Sequence, residues 1–167
     1  MTFRSAVLTP IILAMLMPSV IAGCSPERDE PTRAAATDTP AEPTGVPVEE
    51  TPIRVRVNGT TIAGTIRHNP TGSDLLSRLP VTVRVRDHNQ QEKTGPLPQP
   101  LTMDGMPSGD APKAADIGYF APGNDLVFYC TDAPYWRGIA RIGRLDGDLS
   151  VFADAAGELT VVVERAD

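Results

Sequence analysis

Apolar and charged residues alternate over Ile53-Arg-Val-Arg-Val57. A period of two places one side of a strand in a core and the other in water. Asn58-Gly59 follows at once, the dipeptide best suited to a two-residue hairpin turn. Thr60–Ile66 therefore reads as the return strand, with Gly64 as an expected bulge. His68-Asn69-Pro70 breaks the pattern. Over Thr71–Arg78 the period changes: Leu75, Leu76 and Leu79 share one side of a short helix, with Thr71 as its cap, Asp74 in its first turn and Pro80 as its stop. Val81–Arg86 alternates again, and Asp87-His88-Asn89 turns the chain. Gln90–Thr94 is polar. Pro96, Pro98 and Pro100 make Gly95–Leu101 a rigid connection, and Thr102–Lys113 is a Gly/Pro/Met loop. A long irregular loop inside a compact domain is often a functional rim.

The second half of the domain carries Ile117–Phe120 as a short strand. Ala121-Pro-Gly-Asn-Asp125 is a turn in which Pro122 presets φ and Gly123 or Asn124 takes the positive value. Leu126–Cys130 is nearly continuous in apolar residues, as expected of a strand covered on both faces. Thr131–Pro134 turns, and Gly138–Leu145 returns as a strand with Arg137, Arg141 and Arg144 interleaved among Ile139, Ile142 and Leu145. Its alternation slips at Gly143, where a bulge is expected. Leu149, Phe152 and Ala153 suit a short helix stopped by Gly157, and Glu158–Glu164 closes the domain with Leu159, Val161 and Val163 on one face. About seven or eight short strands and two short helices predict an antiparallel barrel or sandwich rather than a parallel α/β sheet.

The N-terminus reads differently. Arg4 precedes an apolar run, Ala6–Ile21, broken by Pro10 and Pro18, and Ile21-Ala22-Gly23-Cys24 closes it. This is the layout of a lipoprotein signal peptide over residues 1–23. Small residues at 22 and 23 fit a signal peptidase, and the Cys24 thiol accepts the lipid. Several acyl chains on one cysteine hold a protein stably on a bilayer, where one chain alone binds marginally. The expected location is lipid-anchored to the cell membrane, facing away from the cytoplasm. Residues 24–51 form a Pro/Thr-rich spacer whose composition buries too little apolar surface to order itself. The folded domain is expected over 52–167.

Net charge is −6, and loss of residues 1–23 removes only Arg4, leaving −7. Duplex binding needs clustered Lys and Arg, so nucleic acid is excluded as a partner. With Cys24 lipidated, Cys130 has no disulfide partner and reads as a small buried hydrophobe. His68 and His88 show no metal-ligand spacing. No cofactor motif, phosphate loop or catalytic triad is visible.

Several segments together resemble the bacterial cyclophilin-like fold family. They are Ile53–Val57 with Asn58-Gly59, the helix around Asn69-Pro70-Thr71, Leu79-Pro80-Val-Thr-Val83, the run Asp116–Tyr129, and Ile142-Gly143-Arg144 followed by a short helix. The resemblance spans nearly all of 52–167 and implies a closed, eight-stranded antiparallel β-barrel capped by helices. True cyclophilins isomerise the bond before proline with an arginine, an apolar proline pocket and a nearby glutamine. Here the third strand offers Arg84 and Arg86 in Val-Arg-Val-Arg-Asp-His, without the Phe-His-Arg context, and Gln90 and Gln91 lack the Gly-Gly-Asp that follows in that family.

Candidate binding residues follow from the aromatic content. Tyr119, Phe128, Tyr135 and Trp136 would make an aromatic wall, although Phe128 reads as core. Tyr135 and Trp136 follow a turn, where side chains with one apolar and one polar end are favoured. Arg141 would anchor a carboxylate or a peptide carbonyl, unless it is a solvated strand charge. Arg86, His88 and Glu92 would form a polar cluster. The expected function is a membrane-tethered binding module for a peptide or small ligand. Its site would lie in the barrel mouth, rimmed by Gly95–Lys113 and Tyr135-Trp136. A weak peptidyl-prolyl isomerase and a structural envelope lipoprotein are the alternatives.

Overall fold

The computed structural model describes residues 48–167. The signal peptide, Cys24 and all but the end of the spacer lie outside the described residues.

The chain runs β1 (Glu50–Val57), β2 (Thr60–Arg67), α1 (Pro70–Ser77), β3 (Val81–His88), β4 (Glu92–Pro96), β5 (Gly109–Asp110), β6 (Asp116–Phe120), β7 (Asp125–Tyr129), β8 (Trp136–Arg137), β9 (Ile139–Asp146), α2 (Ser150–Ala153) and β10 (Leu159–Arg165). Eight strands close into an antiparallel barrel in the order β1-β10-β3-β4-β7-β6-β9-β2, while β5 and β8 pair separately. Closure leaves no strand edge open in the wall. The fold class expected from the sequence is the one observed.

Local chemistry explains most elements. Asn58 and Gly59 both take positive φ, 49° and 80°, as a two-residue hairpin turn between paired strands requires. The first strand begins at Glu50, inside the stretch assigned to the spacer. Gly64 makes no bulge: the β1–β2 register is unbroken through Ile53↔Gly64. Its role is close approach, since a Cβ there would stand 2.6 Å from the Arg144 carbonyl oxygen on β9. The expected slip beside Gly143 is real. Ile117 pairs with Gly143 and Gly118 with Arg141, so Ile142 is the extra residue on β9.

Helix α1 corrects two expectations. Its cap is Asn69, whose side-chain oxygen accepts from the Gly72 N–H at 2.8 Å. Pro70 then starts the helix, where a missing N–H costs nothing. Thr71 is fully buried and donates to the Thr102 carbonyl at 2.6 Å. Asp74 lies beyond the first turn and binds Arg78 through both oxygens, at 2.8 and 2.9 Å. The β3–β4 turn is also shifted. Strand β3 continues to His88, and Asn89 and Gln90 take the positive φ values. The polar stretch after it is strand β4.

The interior is filled by alternate residues of each strand, including Val55, Ile66, Val85, Ile117, Tyr119, Leu126, Phe128, Ile142 and Val161. One end of the barrel is plugged by α1 and the 97–102 segment through buried Leu75, Leu97 and Leu101. The other is covered by α2, whose Phe152 stacks on Phe128 with ring centroids 4.9 Å apart. There, fully buried Lys93 bonds Asp87 at 2.6 Å and the Ala155 carbonyl at 3.0 Å.

A cavity on the outer wall of the barrel

Strand β7 is covered on both faces, as its apolar run predicts. Leu126 and Phe128 point into the barrel. Val127 and Tyr129 point outward and form a second apolar cluster with Ile139, joined by Phe120 and Ala133. What covers this outer face is the segment from Cys130 to Gly138. It leaves β7 at one end of the barrel and reaches β9 at the other, so it must cross the outside of the wall. Several contacts hold it there. Cys130 N–H donates to the Gln91 carbonyl at 2.8 Å, and Ala133 N–H to the Pro112 carbonyl at 2.9 Å. β8 pairs with β5, and the hydroxyls of Tyr135 and Ser108 meet at 3.0 Å.

The crossing segment does not close flat on the wall. It leaves a cavity of about 440 Å³ over the outer faces of β4 and β7, bordered by the β3–β4 turn. That size falls within the ~300–1,000 Å³ of small-molecule sites. Its walls include His88, Glu92, Phe120, Asp125, Tyr129 and Trp136. Glu92 stands across from His88 on β3 and Tyr129 on β7; Asp125 stands across from Pro96 on β4. The two residues thus leave the wall four positions, or about 13 Å, apart along the strand.

The electrostatics are unusual for carboxylates at a surface. Burial pushes the Glu92 carboxyl above the usual range; His88 opposes this shift and Asp125 adds to it. Burial raises Asp125 as well. Tyr129 is 1% exposed, and its phenol is held firmly neutral by burial first and then by the charges of Glu92, Asp116 and Asp110. Among the described residues its hydroxyl has no hydrogen-bond partner. Nor is it sealed: Nε of Arg54 is the one fully buried side-chain nitrogen or oxygen without a hydrogen bond among them. The edge of the Tyr129 ring lies over Gly118, where a Cβ would stand 2.8 Å from Cε2. Gly118 is therefore needed for the ring's position.

The cavity brings together only some of the residues singled out in the sequence. Trp136, 60% exposed, and Glu92 line it. Tyr135 stands beside it, 58% exposed, with its hydroxyl on Ser108. Tyr119 does not face it. That ring is inside the barrel, accepting from the Leu101 N–H at 3.0 Å and donating to Asn124 Oδ1 at 3.1 Å. Phe128 is also interior, so the four aromatics do not form one wall. Arg141 is occupied internally: Nε donates to Asp110 at 2.8 Å and another guanidinium nitrogen lies 3.4 Å from Asp116. Arg86 is bound to Glu158 at 2.8 Å and does not line the cavity. The expected mouth site is filled by Leu97 and Leu101. Beside that plug a shallower groove of about 330 Å³ runs past Leu75, Arg78 and Pro80. Among the described residues no three His, Cys, Asp or Glu side chains converge to hold a metal ion.

Asp125 and Tyr129 escaped the sequence reading. Their signal was present in β7: with Leu126 and Phe128 facing inward, 125, 127 and 129 must face outward together. The continuous apolar run concealed this alternation.

The profile of the cyclophilin-like family matches residues 55–164. Among solved structures, the solution structure of the hypothetical protein AF2241 from Archaeoglobus fulgidus is similar in fold. The TM-score is 0.56 at 17% identity, covering 73% of this chain and 99% of that one. The comparison with curated proteins finds no match.

Proposed function

This chain belongs to the cyclophilin-like family, and from that premise we propose that it is a membrane-tethered module that binds a peptide or small ligand in the outer-wall cavity. The observation that supports this reading is the cavity itself, a space of about 440 Å³ walled by aromatic rings and unpaired carboxylates. A structural spacer would gain stability by closing such a space, because a carboxylate buried without a partner costs free energy. Tethering would come from lipid on Cys24, which places the cavity outside the cytoplasm at the end of the 24–51 spacer.

The isomerase alternative would need Arg84 or Arg86 directed at a substrate. Both side chains are 78% exposed and turned to Glu158, at 4.0 and 2.8 Å. No observation favours that reading over binding.

Trp136 is the sole tryptophan of the chain, so intrinsic fluorescence reports directly on the cavity. The full chain in detergent micelles, titrated with blocked amino acids and dipeptides bearing cationic, anionic and apolar side chains, should show an emission shift with at least one class. Trp136→Ala, followed by calorimetry, should keep the melting temperature and lose binding. If no class shifts the emission, binding at this cavity is refuted. Tethering is checked separately: Cys24→Ser protein should leave the membrane fraction, and its retention there would overturn the anchor.

A further inference from the structure

Taking the outer-wall cavity as the binding site, we infer that its ligand is a small organic cation. Its charge would be a primary ammonium seated at Glu92, on an apolar stem lying against the aromatic wall. Four independent features lead to this class.

First, the cavity lining contains two carboxylates and one histidine and neither lysine nor arginine. An anion would meet like charge and no fixed counter-charge.

Second, these carboxylates are the unspent ones. Of the described carboxylates that are buried or half-buried, Asp74 is paired with Arg78 and Glu164 with Arg54 and Arg56. Asp110 and Asp116 are both paired with Arg141. Glu92 and Asp125 have no ion pair or side-chain hydrogen bond among the described residues. A half-buried carboxylate without a partner is a standing cost that a bound cation would remove.

Third, Tyr129 brings a phenol that is 1% exposed and unpartnered to the same cavity. Its oxygen is not sealed off, and an ammonium, which carries three donors and no acceptor, suits a free oxygen acceptor.

Fourth, Phe120, Tyr129 and the exposed Trp136 present rings to this space. Aromatic faces attract cations, tryptophan most strongly.

Geometry separates an organic cation from a metal ion. Glu92 and Asp125 leave the wall about 13 Å apart along the strands, and the groove between them runs past Thr94; no three His, Cys, Asp or Glu side chains converge on one ion among the described residues. That shape suits an extended stem. His88 on β3, Tyr129 and Asp125 on β7 and Glu92 on β4 are the titratable groups facing the site. Protonation of Glu92 or Asp125 would oppose a bound ammonium, so affinity should fall as pH is lowered through the range of these carboxyls.

The test uses the full chain in micelles with three probes: Nα-acetyl-lysine N-methylamide, its neutral norleucine counterpart and its glutamate counterpart. Trp136 emission should report the lysine probe at least about tenfold tighter than the norleucine probe, the worth of one charge-assisted hydrogen bond. Glu92→Gln should remove that preference while leaving the melting temperature at or above the parent value. Tyr129→Phe and Asp125→Asn should each weaken the lysine probe by less. Equal binding of the lysine and norleucine probes, preference for glutamate, or unchanged lysine affinity in Glu92→Gln would each overturn the cation inference and leave the cavity's binding role standing. Silence with all three probes would overturn both. n-Pentylammonium, run in parallel, separates sources. Affinity equal to the lysine probe assigns a free amine; a clear loss assigns a lysine side chain within a peptide.

Discussion

Tyr119 and Tyr129 sit ten residues apart on neighbouring strands, and each is 1% exposed. Their hydroxyls meet opposite fates. Inside the barrel, Tyr119 makes two hydrogen bonds, accepting from Leu101 N–H and donating to Asn124. Asn124 in turn donates to the Leu97 carbonyl at 2.7 Å, so one phenol pins the segment that plugs the barrel. Outside the barrel, Tyr129 is equally covered and makes none among the described residues. The same contrast holds for charge. Buried Lys93 is satisfied by Asp87 and a carbonyl, whereas half-buried Glu92, next to it in sequence, has no ion pair or side-chain hydrogen bond among the described residues. The interior is finished, and the outer cavity is left open. Proteins keep strained or unpaired polar groups chiefly where function needs them, and here that place is the outer face of β4 and β7.

This division can be broken at several points. The largest effect should come from the interior. Phe128→Ala removes a ring stacked on Phe152 and should cost about 3–5 kcal/mol in urea unfolding; a loss under about 1 kcal/mol would mean that the barrel interior is not close-packed there. Next, Tyr119→Phe strands the buried Leu101 N–H and should cost about 1–3 kcal/mol, with faster hydrogen exchange at that amide. Glu92→Gln should act with the opposite sign. A carboxyl raised in the folded state penalises folding at pH values above its unfolded value near 4.5 and is harmless below it. The variant should therefore melt slightly higher than the parent at pH 7, and the gain should vanish as pH falls below about 4.5. Asp87 runs the other way. Lys93 holds its carboxyl below the usual 3.8, so its contribution is present above that value and is lost as pH falls through the lowered one. The smallest effect should be Tyr129→Phe, within about 0.5 kcal/mol of the parent in the same unfolding assay. A loss as large as that of Tyr119→Phe would mean that the Tyr129 hydroxyl is structurally engaged after all, and the distinction between the two faces would collapse.

Sequence alone carried the fold a long way where local chemistry and burial agree. Alternation in β1, β3 and β10, the Asn58-Gly59 turn and the positive φ of Asn124 are each short-range consequences of side-chain shape. Where the two disagree, legibility failed. Strand β4 has Lys93 and Gly95 on its inward face, so it shows no apolar alternation although it is part of the wall. The loop after it looked like a functional rim because it is long and proline-rich. Whether Leu97 and Leu101 turn inward depends on Tyr119 and α1, which lie far away in the chain. The candidate site was the least legible part. Trp136 and Glu92 could be named from composition and position, but Arg141 and Arg86 are bound to carboxylates that only folding brings near.

The sequence by itself determined most of the barrel strands, most of the turns and a surface acidic on balance, because these follow from spacing and residue type. Tertiary structure decided which polar groups are spent and which are free. Hydrogen bonds and ion pairs are settled by proximity between segments far apart in the chain, 72 residues for Arg86–Glu158 and 31 for Arg141–Asp110. Only the crossing of Cys130–Gly138 over the outer wall turns Glu92, Asp125, Tyr129 and Trp136 into one cavity.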